Sequence, residues 1–264
     1  MVDYKQKEHY DLNDFREIIA ILRHPGGCPW DGAQTHHSIR RNLLEEAYEL
    51  AEGIDREDLD LMEEELGDVL MQVLFHASIE EDAGHFDIDD VADRACKKLI
   101  FRHPHVFAAR QVEGTEEVLV NWEELKREEK HQSSYTDTLN AVARTLPALW
   151  RAEKLQSKAA KAKFDWPDIS GAVDKLRDEH AEVEEALAEG DQAHIAEEIG
   201  DLLFAAVNLA RWSGVDPEDA LNATCEKFIR RFARMETAAE GDLADLSLDE
   251  QLALYRQAKE EPHE

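Results

Sequence analysis

The apolar residues of this chain recur every three to four positions, and no stretch alternates β-branched residues in the manner of a strand. That pattern predicts helices throughout and an all-α fold. Between Leu43 and Gly53, the residues Leu43, Leu44, Ala47, Leu50 and Ala51 make an apolar stripe, while Glu46, Glu49 and Gly53 form a second one. The helix carrying them is predicted to end at Gly53-Ile54-Asp55. The next begins at Asp60 and runs to about Ala83, and the short turn makes the two antiparallel neighbours. Asp87-Ile88-Asp89-Asp90 and Asp216-Pro217-Glu218-Asp219 each read as an N-cap with acidic first-turn residues. The polar run from Arg127 to Ser134 reads as a linker. Leu139–Lys163 reads as one further helix, stopping before Phe164-Asp165-Trp166-Pro167.

The pattern is written twice. Leu43-Leu44-Glu45-Glu46-Ala47-Tyr48-Glu49 is matched by Leu176-Arg177-Asp178-Glu179-His180-Ala181-Glu182, and Glu64-Glu65-Leu66-Gly67-Asp68 by Glu197-Glu198-Ile199-Gly200-Asp201. Both pairs are displaced by 133 positions (46→179, 65→198). Cys96-Lys97-Lys98-Leu99-Ile100-Phe101-Arg102 reappears as Cys225-Glu226-Lys227-Phe228-Ile229-Arg230-Arg231, displaced by 129, so the second copy is four residues shorter there. Three blocks in order at near-constant spacing imply two homologous helical units. We place them at residues 1–125 and 164–264, with a linker and connecting helix over 126–163.

Composition narrows the function. The chain has 264 residues, with 60 Asp and Glu against 30 Lys and Arg, a net charge of −30. Such a field argues against binding nucleic acid or an anionic membrane. Taken alone it also argues against any polyanionic ligand. No apolar run is long enough to cross a bilayer, and the N-terminus is too polar for a signal peptide. Three scattered cysteines suggest a reducing compartment. A cytoplasmic protein is expected.

Some of the acidity has a motif. Glu46 and Glu49 on one helix face Glu65 and Asp68 on the next, and Glu179, Glu182, Glu198 and Asp201 repeat the arrangement. Residues three apart share a helix face, so four carboxylates are expected to converge in each unit. Converging carboxylates repel one another unless cations neutralise them, and hard oxygen ligands suit Mg²⁺, which also takes phosphate oxygens. Gly67 and Gly200 interrupt good helices, as expected where backbone or ligand must come close. Lys98 with Arg102, and Lys227 with Arg231, have the i, i+4 spacing that lets two cations address one di- or triphosphate. A basic row of Arg151, Lys154, Lys158 and Lys161 falls on one helical face, either as a ligand contact or as an ion-pair surface. Glu128-x-x-His131 occurs once, whereas a di-iron bundle needs two such motifs. His103-Pro104-His105 reads as turn packing. No glycine-rich phosphate loop or Gly-x-Ser-x-Gly motif occurs.

These residues resemble the MazG family of nucleoside triphosphate pyrophosphohydrolases. The resemblance rests on Glu45-Glu46-x-x-Glu49 followed by Glu65-x-x-Asp68, and on Gly27-Cys28-Pro29-Trp30-Asp31 and Arg102-His103-Pro104-His105-Val106-Phe107. It extends to Phe164-Asp165-Trp166 and to Glu226-Lys227-Phe228-Ile229-Arg230-Arg231-Phe232, and so covers essentially the whole chain. It implies tandem all-α bundles in a homodimer that hydrolyses an NTP or dNTP to NMP and diphosphate. The implied cofactor is Mg²⁺, or Mn²⁺ in its place. The implied role is house-cleaning of the nucleotide pool with broad base specificity. Glu179, Glu182, Glu198 and Asp201 would be the catalytic metal ligands, with Glu179 or its neighbour Asp178 orienting the water. Lys227 and Arg231 would hold phosphates, and Tyr255 and Lys259 would contact the nucleotide. In long members the second domain is generally the active one. Here Asp178 stands where the motif usually begins with Glu, and Tyr255 where Trp is common. The first copy keeps its motif together with Lys98 and Arg102, so its inactivity does not follow. The alternatives are a narrow dUTP- or dCTP-type pyrophosphatase and a non-catalytic, nucleotide-sensing helical dimer.

Overall fold

The computed structural model describes residues 4–108, 114–129, 133–239 and 241–260. Among the described residues there are thirteen α-helices, one 3-10 turn and no strand. None of these helices is long and apolar enough to cross a membrane. The chain divides into two compact units, residues 1–126 and 127–264.

In the first unit, α1 (Leu12–Arg23) packs on α4 (Leu59–Asp82), which forms a hairpin with α3 (His36–Asp55). The short α2 (Pro29–Gly32) joins α1 to α3, while α5 (Ile88–Arg102) and α6 (Pro104–Phe107) follow α4. Caps set the boundaries. Thr35 and Ser38 form a capping box on α3, Asp58 accepts from Leu61 N on α4, and Asp87 with Asp90 boxes α5. The core is Ile19, Ile39, Leu74 and Phe75, covered by residues such as Phe15, Leu70 and Met71.

A polar chain ties the start of α3 to the end of α4. His36 Nδ1 is 2.7 Å from His76 Nδ1, His36 Nε2 is 2.5 Å from Glu80 Oε1, and His85 Nδ1 is 2.6 Å from Glu80 Oε2. Burial, then the charge of His36, holds the His76 pKa down. Hydrogen bonds from His85 and His36 hold the Glu80 carboxyl below its usual range.

After α7 (Thr115–Glu129), the second unit comprises α8 (Tyr135–Asn140), α9 (Ala148–Lys161), α10 (Ile169–Glu189), α11 (Gln192–Trp212), α12 (Pro217–Ala238) and α13 (Leu248–Glu260). The α10–α11 hairpin repeats α3–α4, and α9 packs against α11 and α12. Two sequence expectations change here. Leu139–Lys163 is not one helix: α8 stops at Asn140 and α9 starts at Ala148, with Pro147 as its N-cap. A proline disfavours helical backbone in the residue before it, which separates the two. The polar run from Arg127 is also helical as far as Glu129, as its Glu- and Lys-rich composition allows. His131 lies outside the described residues.

The hairpins also bury a different stripe from the one the apolar pattern suggests. Leu44, Ala47 and Ala51 are exposed, whereas Ile39 and Gly53 are buried with Glu46 half-buried between them. In α10 the same seven-residue seam reads Ala172, Glu179 and Ala186, exposed by 1, 4 and 0 % respectively. Facing them, Glu65 precedes buried Gln72 in α4, and Glu198 precedes buried Ala205 in α11. Each hairpin therefore places carboxylates at positions where a coiled-coil seam normally carries apolar residues.

Candidate metal and nucleotide site

Seam placement brings the carboxylates together. Glu46, Glu49 and Glu65 in the first unit each offer an oxygen within 4.8 Å of the others, and so do Glu179, Glu182 and Glu198 in the second. The expected fourth member stands outside both triads. Asp68 is near enough to push up the pKa values of Glu46 and Glu65, and Asp201 lines the same cavity as Glu179. An aspartate arm is one methylene shorter than a glutamate arm, so it reaches less far from the same helix face.

The triads carry the electrostatic signature of crowded acids. Burial, then Asp68 and Glu49, raises the Glu46 carboxyl, and burial, then Glu49 and Asp68, raises Glu65. For Glu182 the Lys175 ammonium pulls downward, but Glu179, burial and Glu198 together leave it raised. Lys175 Nζ is 2.5 Å from Glu179 Oε1, and His194 Nε2 is 3.2 Å from Glu198 Oε1. Even so, Glu65 Oε2, Glu179 Oε2 and Glu198 Oε2 are buried with no hydrogen-bond partner. Buried carboxylate oxygens without partners are costly, and a hard cation with oxygen ligands would satisfy them. The donor set therefore fits Mg²⁺ in both units.

The second unit adds a cavity of about 360 Å³, lined by Lys175, Glu179 and Asp201 together with Phe164, Trp166 and Phe204 among others. Asp165 braces one wall, accepting from Arg211 Nη2 at 2.5 Å and from Trp212 Nε1 at 3.1 Å. Gly171 admits the Trp166 ring, since a Cβ there would meet ring carbons at 2.7 Å.

The remaining candidates are placed as follows. Lys227 and Arg231 are half-buried on α12. Tyr255 packs on Phe228 with ring centroids 6.1 Å apart, and Lys259 Nζ lies 5.0 Å from the Tyr255 ring centre. None of these four lines the Glu179 cavity, nor do Arg151, Lys154, Lys158 and Lys161. In the first unit Lys98 is exposed, while Arg102 is buried with its guanidinium 5.2 Å from the Trp122 ring centre. A Cβ on Gly67 or Gly200 would meet nothing within 4 Å, so no described backbone or side chain comes close at either glycine. Lys175, not singled out from the sequence, lines the cavity together with the Phe164-Asp165-Trp166 motif. Lys175 had a signal, its i, i+4 spacing to Glu179.

The model of the MazG nucleotide pyrophosphohydrolase domain matches residues 34–107 and 170–235, more than half of the chain. The chain belongs to the MazG family. Each matched segment contains one complete triad. The chain is 44% identical over 257 residues to the Escherichia coli (strain K12) nucleoside triphosphate pyrophosphohydrolase, covering 94% of this chain and 98% of that protein. It is 41% identical over 251 residues to the Thermotoga maritima nucleoside triphosphate pyrophosphohydrolase/pyrophosphatase MazG, covering 93% and 95%. The uncharacterized protein YabN of Bacillus subtilis is 48% identical over 256 residues. That match takes in 96% of this chain but only 52% of YabN, about half its length.

Proposed function

We propose that the chain is a Mg²⁺-dependent nucleoside triphosphate pyrophosphohydrolase, converting an NTP or dNTP and water to NMP and diphosphate at the second unit. The observation that carries this reading is the Glu179, Glu182 and Glu198 triad, with two buried oxygens unpartnered, opening on a cavity large enough for part of a nucleotide. Relatives at 44% and 41% identity bear the pyrophosphohydrolase name.

Glu179, Glu182 and Glu198 would hold the metal, with Asp201 beside them on the cavity wall. Bound there, Mg²⁺ supplies charge neutralisation for the triphosphate and makes water a better nucleophile. Glu179 orients the attacking water in line with the α-phosphorus. It is the buried member at the cavity wall, whereas Asp178 is exposed. Lys175 pairs with Glu179 Oε1 and leaves Oε2 open as an acceptor. Lys227 and Arg231 offset charge on the departing diphosphate.

Broad base specificity, house-cleaning of the nucleotide pool and a homodimeric state belong to the same reading. Exposed apolar side chains on the hairpins and on α12, among them Leu44, Leu66, Ile199, Leu203, Phe228 and Ile229, support a second copy as the cover. The test is turnover of ATP, dGTP and dUTP with Mg²⁺ and with EDTA. Glu198→Gln is expected to abolish NMP release and Glu65→Gln to leave most of it. Orthophosphate with NDP as products would overturn the reaction. Activity that survives until Glu65 is also replaced would place catalysis in both units.

A further inference from the structure

Helix α9 ends in a turn that glycine ordinarily makes. Lys163 N donates to the Ala160 carbonyl at 2.9 Å and Phe164 N to the Ala159 carbonyl at 3.2 Å. These are the paired bonds of a helix end whose closing residue takes left-handed backbone. That residue is Lys163, with a φ of 62°. Left-handed backbone crowds a Cβ, so a residue other than glycine is strained there. The same turn closes α4 on Gly84 and α11 on Gly214. Glu57 is the one other non-glycine residue with positive φ among the described residues, and it lies in the exposed turn between α3 and α4.

The surroundings set Lys163 apart. It is exposed yet lines the cavity that holds Glu179 and Asp201, so it stands where that cavity meets solvent. Three cations line the cavity, Lys163, Lys175 and Arg211. Lys175 is paired with Glu179 and Arg211 with Asp165, whereas Lys163 has no ion-pair partner among the described residues. The chain carries a net charge of −30, and a triphosphate approaching such a field is repelled unless local cations offset it. Glycine at this position would remove the strain, and it would also remove the charge. Strain held at the wall of a site points to a use for the side chain that causes it.

We propose that Lys163 is a substrate-binding residue of the second unit, its ammonium pairing with the phosphate chain of the triphosphate. The inference rests on the pyrophosphohydrolase reading of this site. Phosphates are common to every nucleotide, so the contact is indifferent to the base. It is made in the ground state and the transition state alike, and therefore acts on KM and not on kcat. Being exposed to water, it weakens as salt rises.

The test measures hydrolysis of ATP, GTP, CTP and UTP by the full chain with Mg²⁺. Lys163→Gly is expected to raise KM about five-fold for every one of them, the upper end for an exposed ion pair. Its kcat should be unchanged and its Tm no lower than that of wild type. In about 0.5 M NaCl the ratio of the two KM values is expected to fall to about one. Lys163→Arg, which keeps the charge, is expected to stay close to wild type. A purely structural role would move Tm and leave KM as it was, which would overturn the proposal. So would a KM effect confined to some bases, or one indifferent to salt. If wild type releases no NMP, the pyrophosphohydrolase reading falls, and calorimetric titration with α,β-methylene-ATP and Mg²⁺ decides Lys163 separately. Binding about five-fold weaker in Lys163→Gly would support the contact, and equal binding, or none, would overturn it.

Discussion

Lys175 Nζ lies 2.5 Å from Glu179 Oε1, one helical turn away, whereas the position matching Lys175 in the first unit holds Asn42. The two hairpins thus share a carboxylate seam but differ in the cation beside it. The Lys175 pair neutralises one oxygen of a side chain that is 4 % exposed and leaves the other open. Glu179 thus still has an open oxygen for a cation.

Removing that ammonium unbalances the metal-free triad. Lys175→Met is expected to destabilise the protein in EDTA by about 1 kcal/mol, a small figure for a buried acid because the lysine side chain is itself 42 % exposed. Mg²⁺ should recover most of the loss. Thermal melts of both proteins in EDTA and in Mg²⁺ measure it.

Divalent cation should stabilise the wild type as well. A ligand that binds only the folded state at about one hundred times its Kd contributes about 2.7 kcal/mol, or several degrees in Tm. A melting curve indifferent to EDTA would count against both triads.

The raised carboxyls give pH effects of definite sign. Glu65 titrates above its ordinary value in the folded chain, chiefly through burial and the neighbouring Glu49. Its contribution is therefore present below the ordinary glutamate range and is lost as pH rises through the folded value. Glu65→Gln should be more stable than wild type in EDTA at about pH 8, with the gap closing towards about pH 4. Urea unfolding at the two pH values reads the difference.

His76 and Glu80 act in the opposite direction. Both pKa values are held down, so both contribute stability above their unfolded values that is lost as pH falls. For His76 the window opens near pH 6.5, where an unperturbed imidazole takes up its proton. His76→Gln should lose less stability than wild type between about pH 7 and about pH 5, as followed by circular dichroism.

Much of this arrangement was legible in the sequence. The 133-residue displacement, the acidic pairs and the caps at Asp87 and Asp216 all appear where the spacing placed them. The apolar pattern misled at the hairpins, because Leu44 and Ala47 look like core positions while Glu46 and Glu179 occupy the seam. The seven-residue spacing of Ile39, Glu46 and Gly53 held that information, hidden by the assumption that seams are apolar. Lys163 carried no signal. Its left-handed backbone and its place on the cavity wall exist only once α9 ends and packs on α11.

Hydrolysis of ATP in oxygen-18 water with Mg²⁺, followed by phosphorus NMR, tests the central claim most directly. The expected result is AMP bearing the label together with unlabelled diphosphate, the mark of water attacking the α-phosphorus. ADP with labelled orthophosphate, or label in the diphosphate, would contradict it.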